Sequence, residues 1–459
     1  MPTVRLATKR FIWSATFYHI MQKLVLSFIS LLLIAFLASA AQGRPNRIVL
    51  AYSATWRDAD TPAETYNYDA ITHLARAFLT PHPDGTIEIP DGYFNANMES
   101  LARKHGVKLL MSLGGEASNA DNWLSIARNR KYFQNFCGNL EKLLADHGYD
   151  GIDIDWEPSA VTTEDGSAFV SFMKQLRAHF PDRIITTALG ASEYWIGHFS
   201  WKEVTDSVDY VNVMTYDYSG GWGGRAAYAS NLFPAGAYSP EPTLSVEEGM
   251  KNLIGNHKVS PAKLLMGMTF WPSRFSVDHI GDHFPINGPG YSMNITHAQA
   301  MYLLRTGKYA DFWDEKAAMP YMERTGGGSV VCYESPKSIQ RKCEYAAKLG
   351  CAGVMIWHVG ADVCGEKAPL MDAVAESCGV AKQIFPRQIF EQQVSDLQNQ
   401  IQQLKSQLSH VKAAGEVNSA KMSELSMDQL HALFSQMEIT WGSLQDQLWR
   451  QDAPPHATK

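Results

Sequence analysis

Apolar and polar positions along the chain change rhythm at a few points, and those changes outline its organisation. Through the middle of the sequence, short apolar runs alternate with longer stretches whose apolar residues recur at helical spacing. The runs predict strands at Arg47–Tyr52, Ile71–Leu79, Val107–Leu113, Gly151–Trp156, Arg183–Leu189, Val208–Thr215, Lys263–Phe270 and Ala352–Trp357. Strands alternating with helices in this number, over about 330 residues, predict an α/β fold, a (β/α)8 TIM barrel with a short insertion after the seventh strand. A doubly wound open sheet is the competing arrangement, but no Gly-x-Gly-x-x-Gly turn follows the first strand.

The ends follow other rules. Leu24 to Leu37 is uncharged and apolar, follows Lys23 and ends in Ala38-Ser39-Ala40, the pattern of a secretory signal with a small-x-small cleavage site. It falls short of the roughly 20 apolar residues of a membrane span. The basic lead before it, with Arg5, Lys9 and Arg10, makes Met21 an alternative start. Beyond the barrel, Phe385-Pro386-Arg387 reads as a linker. Phe390, Val394, Leu397, Ile401, Leu404, Leu408 and Val411 then follow the a/d rhythm of a coiled coil, and Met427 to Leu448 carries a second rhythm out of phase with it. The expected organisation is a signal over 1–40, a catalytic barrel over 41–380, a linker over 381–388, a helical tail over 389–450 and a disordered end over 451–459. The tail suits either self-association or a helical hairpin, with self-association favoured.

The fourth predicted strand is the most unusual. From Ile152 to Glu157 apolar and acidic residues alternate strictly, so Asp153, Asp155 and Glu157 share one face and Ile152, Ile154 and Trp156 the other. Neighbours on that face lie roughly 6–7 Å apart. A solvent-facing row of acids would be self-repelling. In a confined site, crowding and desolvation raise carboxyl pKa values, so that one or more would hold a proton near neutrality. Glu157, at the strand's end, is then a general acid. A calcium loop would need a flexible glycine where Pro158 stands.

Composition adds limits. The 459 residues carry a formal charge of −7, which gives no support for nucleic-acid binding. Six cysteines (Cys137, Cys332, Cys343, Cys351, Cys364 and Cys378) match no strong zinc spacing. In an exported protein some are expected to pair, in a connectivity the sequence leaves open. Asn294-Ile295-Thr296 is a glycosylation sequon.

Asp150-x-x-Asp153-x-Asp155-x-Glu157 resembles the DxxDxDxE signature of the family 18 glycoside hydrolases, the chitinases and their relatives. Ser112-Leu113-Gly114-Gly115 is similar to the family's SxGG element, Met214-Thr215-Tyr216-Asp217 to MxYD, and Trp357 to the tryptophan closing the eighth strand. Cys332 to Ser338 resembles its YDDxxS stretch, whereas Phe270-Trp271-Pro272-Ser273-Arg274 departs from its Phe-Tyr-Gly-Arg element. The resemblance implies that Glu157 is the general acid, that Asp155 orients the sugar's acetamide and shares a proton with Asp153, and that Tyr216 holds the acetamide oxygen. Asp150 and Ser112 would be structural supports. Trp357, Met214, Asp217, Trp222, Tyr52, Phe78 and Gly115 would contact substrate, with Trp222 on the leaving-group side. No metal and no organic cofactor is implied.

Implied with these roles is a secreted or periplasmic enzyme that cleaves β-1,4-linked N-acetylglucosamine in chitin or chitooligosaccharides, with retention and in endo fashion. An endo-β-N-acetylglucosaminidase acting on the N-glycan core shares the signature. A non-catalytic lectin on the same barrel typically lacks the terminal glutamate, which is present here as Glu157.

Overall fold

The structure, a computed structural model, describes residues 47–379 except 60, 117, 158–161, 193–196, 199, 237–243, 289, 294 and 364–366. The signal, the linker, the helical tail and its self-association, the Asn294 sequon and Cys364 therefore lie outside the described residues.

Eight parallel strands close on themselves: β1 (Ile48–Ala54), β2 (His73–Pro81), β4 (Lys108–Gly114), β5 (Gly151–Asp155), β6 (Ile184–Gly190), β7 (Tyr210–Met214), β8 (Leu264–Thr269) and β14 (Gly353–Trp357). Pairing of β1 with both β14 and β2 completes the barrel, and a two-residue strand β3 (Ile87–Glu88) runs antiparallel beside β2. Each predicted strand is present, with its ends within two residues of the expected ones.

Apolar residues divide between two layers. Val49, Ala51, Ile152, Ile154 and Trp156 point outward into a large core shared with the helices, while Leu50, Tyr52, Ala75, Leu110, Leu265 and Met355 fill the interior. Behind β5 the outward layer is aromatic: Trp156 stacks on Trp123 at 5.4 Å and meets Phe169 and Phe172 edge-on. Burying side chains of this size contributes about 1.5–3 kcal/mol each, so the strand carrying the acids is clamped from behind.

The helices start and stop where local chemistry dictates. In α1 (Arg130–His147) the Asn129 side chain accepts from the amides of Lys131 and Tyr132, and Gly148 at φ 64° ends the helix in the left-handed conformation that glycine adopts freely. In α2 (Pro336–Leu349) Ser335 and Ser338 cap reciprocally.

The insertion after β8 is a second sheet. Strands β9 (Ser273–Phe275), β10 (Tyr291–Ser292), β11 (Tyr309–Asp314), β12 (Met319–Arg324) and β13 (Val330–Cys332) pair antiparallel in the order β10-β9-β13-β12-β11. Arg274 lies exposed on β9, its Nε donating to Ser329 Oγ at 3.1 Å.

The expectation of paired cysteines is not met among the described residues: Cys137, Cys332, Cys343, Cys351 and Cys378 are free. Cys332 lies in the separate cluster beneath the second sheet, whereas the other four share the large outer core. Cys343 and Cys378 do meet, but at an Sγ–Sγ distance of 3.4 Å. That is a thiol hydrogen bond and not the roughly 2.05 Å of a disulfide.

Candidate active site

Asp153 and Asp155 both point into the barrel, as the alternation of β5 requires, but their surroundings differ. Asp153 is fully buried and accepts four side-chain hydrogen bonds: from Tyr52 at 2.9 Å, Ser112 at 2.7 Å, Thr186 at 2.5 Å and Asn212 at 3.0 Å. Burial raises its carboxyl pKa, and each of these donors opposes the rise by stabilising the anion.

Asp155, one step up the strand and 4% exposed, has no such cradle. It hydrogen-bonds to Glu157, and its Oδ1 has no partner among the described residues. Burial, then the charges of Glu157 and Asp153, push its pKa well above the carboxylate range. Burial and the charge of Glu116 raise Glu157 too, while the hydrogen bond with Asp155 lowers it. The hydrogen bond thus raises Asp155 and lowers Glu157, the direction expected of Asp155 donating towards Glu157.

In this arrangement Asp155 is hydrogen-bonded to Glu157, while the oxygens of Asp153 accept from donors on four other strands.

Across the mouth, Tyr216 belongs to the interior cluster, and its hydroxyl lies 3.7 Å from the Met355 sulfur. Met214 is half-buried against the same cluster. Asp217 has a left-handed backbone, φ 57°, and an open surface. The desolvating walls around it, then Glu157 and Glu116, nonetheless raise its carboxyl to about 7.

Aromatic rings line one side of the mouth. Trp357 stacks on Phe78 at 5.8 Å, and Trp56, 58% exposed, lies 6.0 Å from Phe78 and 6.2 Å from Trp357. Gly115 makes room for this arrangement, since a Cβ there would come within 2.6 Å of the Phe78 ring. Trp222, also exposed, stands apart near Tyr291. Tyr52, expected to touch substrate, is buried with its hydroxyl on Asp153 and its ring 5.5 Å from Trp357, so it supports both from beneath. Asp150, expected to be a structural support, accepts from Lys108 Nζ at 2.8 Å and from the Leu109 amide at 2.9 Å. Among the described residues no group of acids, histidines and cysteines could hold a metal ion.

Residues 48–362 match the sequence profile of glycosyl hydrolases family 18. The chain belongs to that family. The probable chitinase 2 of Drosophila melanogaster is 27% identical over 357 residues, 69% of this chain and 72% of its own length. The endochitinase of Manduca sexta is 24% identical over 73% of this chain and 68% of its own length. Among solved structures, the allosamidin complex of Ostrinia furnacalis Group IV chitinase superposes with a TM-score of 0.65 at 24% identity, over 73% of this chain and 99% of that one. Human YKL-39, described as a pseudo-chitinase with retained chitooligosaccharide binding properties, gives a TM-score of 0.64 at 18% identity, over 72% of this chain and all of its own. At these identities the superpositions speak for the fold.

Three residues of this family 18 site were missed by reading the sequence. Asn212 was legible, as one polar residue between Val211 and Val213 on a buried strand. Thr186 was hidden because Thr187 follows it and blurs the parity. Glu116 gives no signal in the sequence, since its influence on Glu157 and Asp217 depends on where the turn after Gly115 points.

Proposed function

We propose that the protein hydrolyses β-1,4-linked N-acetylglucosamine polymers, chitin and its oligosaccharides, with retention and with the substrate's own acetamide as nucleophile. The observation that carries this reading is the Asp155–Glu157 pair, Asp155 buried and Glu157 half-buried, both carboxyls raised, in a barrel whose mouth also carries the stacked Phe78–Trp357 rings. The aromatic floor suits the apolar face of a sugar ring.

With a sugar seated there, the proton rests on Glu157, which delivers it to the bridging oxygen as the acetamide oxygen closes on the anomeric carbon. Asp155 then faces the acetamide N–H through a carboxylate oxygen and offsets the positive charge of the oxazolinium ring. The Tyr216 hydroxyl holds the acetamide oxygen in line. Glu157, now ionised, takes a proton from the water that opens the ring. Asp153 remains an anion beneath, held by its four donors. The exposed Trp56 and Trp222 favour a groove open at its rims, and hence endo cleavage. Export through the Leu24–Leu37 segment completes the reading.

Three incubations test it: with chitooligosaccharides, with a fully de-N-acetylated polymer and with an N-glycosylated protein. Internal cleavage of the first alone is expected. Turnover of the second at a comparable rate rules out substrate assistance, and release of N-glycans in place of chitin cleavage reassigns the substrate.

A further inference from the structure

A second buried ionic group lies behind the mouth. Lys342 on α2 and Glu334 are both buried, and the ammonium is paired with Glu334 Oε1, whose partner oxygen Oε2 accepts from Ser338 Oγ at 2.5 Å. Lys342 Nζ also donates to Ser230 Oγ at 2.8 Å. Ser230 Oγ in turn donates to the Thr215 carbonyl at 2.8 Å, and Thr215 is the residue before Tyr216 and Asp217.

The direction of this chain follows from its donors. An ammonium can only donate, so the Ser230 oxygen must accept from it, and the single hydroxyl hydrogen is left for the Thr215 carbonyl. Ser230 also stands at a neck. The Tyr218 amide donates to the Ala229 carbonyl at 2.9 Å, closing the loop that carries Trp222. Asp217, at this neck, has a left-handed φ of 57°, which aspartate adopts more readily than most non-glycine residues.

We propose that Lys342 is a positioning residue for the reaction. Through Ser230 it sets the end of β7 and the neck of the 218–229 loop together, so that Tyr216 and Asp217, beside the reacting sugar, and Trp222, beyond it, are placed as one unit. Glu334 neutralises the ammonium that this requires. The inference deepens the proposed chitin hydrolysis and rests on it for the roles of Tyr216 and Trp222.

Ser230→Ala in the full chain tests it, because it removes the link and leaves the Lys342–Glu334 pair intact. On chitooligosaccharides kcat is expected to fall about 10- to 100-fold, the cost of a small misplacement of reacting groups. In a Tyr216→Phe background the same change is expected to cost less than about 2-fold, since residues acting as one unit are not additive. Without substrate, amide hydrogen exchange across 216–231 is expected to quicken about tenfold or more while that of β5 stays unchanged. The Glu334→Gln, Lys342→Met double variant should reproduce this exchange pattern. A lowered melting temperature with unchanged kcat below it, or losses that simply multiply in the double variant with Tyr216→Phe, overturns the inference. Parent protein that leaves chitooligosaccharides intact refutes the substrate reading instead, and the exchange measurement then decides the positioning role, unchanged exchange overturning it.

Discussion

Two of the places where this molecule buries a carboxyl group solve the same electrostatic problem in opposite ways. At Glu334 a cation is buried alongside: burial raises the carboxyl and lowers the Lys342 ammonium, and the attraction between them opposes both shifts. The result is an architectural joint. At Asp155 the nearest ionisable partners are Glu157 and Asp153, so nothing balances the charge and the pair must keep a proton. A buried acid with a cation holds structure in place, whereas a buried acid among acids holds a transferable proton. Asp153 lies between the two cases, its charge spread over neutral donors.

The contrast breaks first at Glu157. Glu157→Gln is expected to bind chitooligosaccharides with nearly unchanged affinity by calorimetry, yet to lose about 10²- to 10⁴-fold in turnover, the range of general-acid catalysis. Full turnover in that variant removes Glu157 from the role.

At the other site the effect should be on stability. Lys342→Met leaves the Glu334 carboxyl buried without its cation and is expected to cost about 3–5 kcal/mol in denaturant unfolding. The double change with Glu334→Gln should recover much of that loss, which would show that the unpaired charge, and not lost packing, is responsible.

Asp155→Asn should go the other way. The folded-state pKa of Asp155 is raised, so the folded chain binds its proton more tightly than the unfolded chain does. Its contribution is present at low pH and is lost as pH rises through the folded value. An amide can still donate to Glu157 and has no proton to lose. The variant is therefore expected to gain about 0.5–2 kcal/mol over the parent, most clearly on the alkaline side, while turnover falls. A flat stability difference across pH contradicts the assignment of the proton to Asp155.

The smallest expected effect is at Glu116, whose charge raises Glu157 and Asp217. In Glu116→Gln both values fall, so the alkaline limb of the pH–rate profile should move to lower pH by about half a unit, within the range expected of one nearby charge. A shift to higher pH would reverse the sign of that interaction.

Local patterns along the chain were sufficient for the barrel and for the face on which the acids lie. Strict alternation on Ile152–Glu157 can satisfy a sheet only with Asp153 and Asp155 inward and Trp156 in the outer aromatic layer. The small residues Gly114 and Gly115 likewise stand where their left-handed φ angles and the Phe78 ring require them. Parity, however, describes one strand at a time. It orders the acids along β5 and says nothing of what faces them from β1, β4, β6 and β7.

Closure of the barrel supplied that missing dimension. It brought Tyr52, Ser112, Thr186 and Asn212 onto Asp153 and left Asp155 to pair upward with Glu157. It buried Tyr52 with its hydroxyl on Asp153 and left five cysteines as free thiols. Chain order by itself determined which residues the barrel has to work with, because side-chain direction in a strand is local. Which acid keeps its charge and which keeps a proton was decided only in three dimensions, because a pKa is set by whatever other strands and loops bring within a few ångströms of the carboxyl.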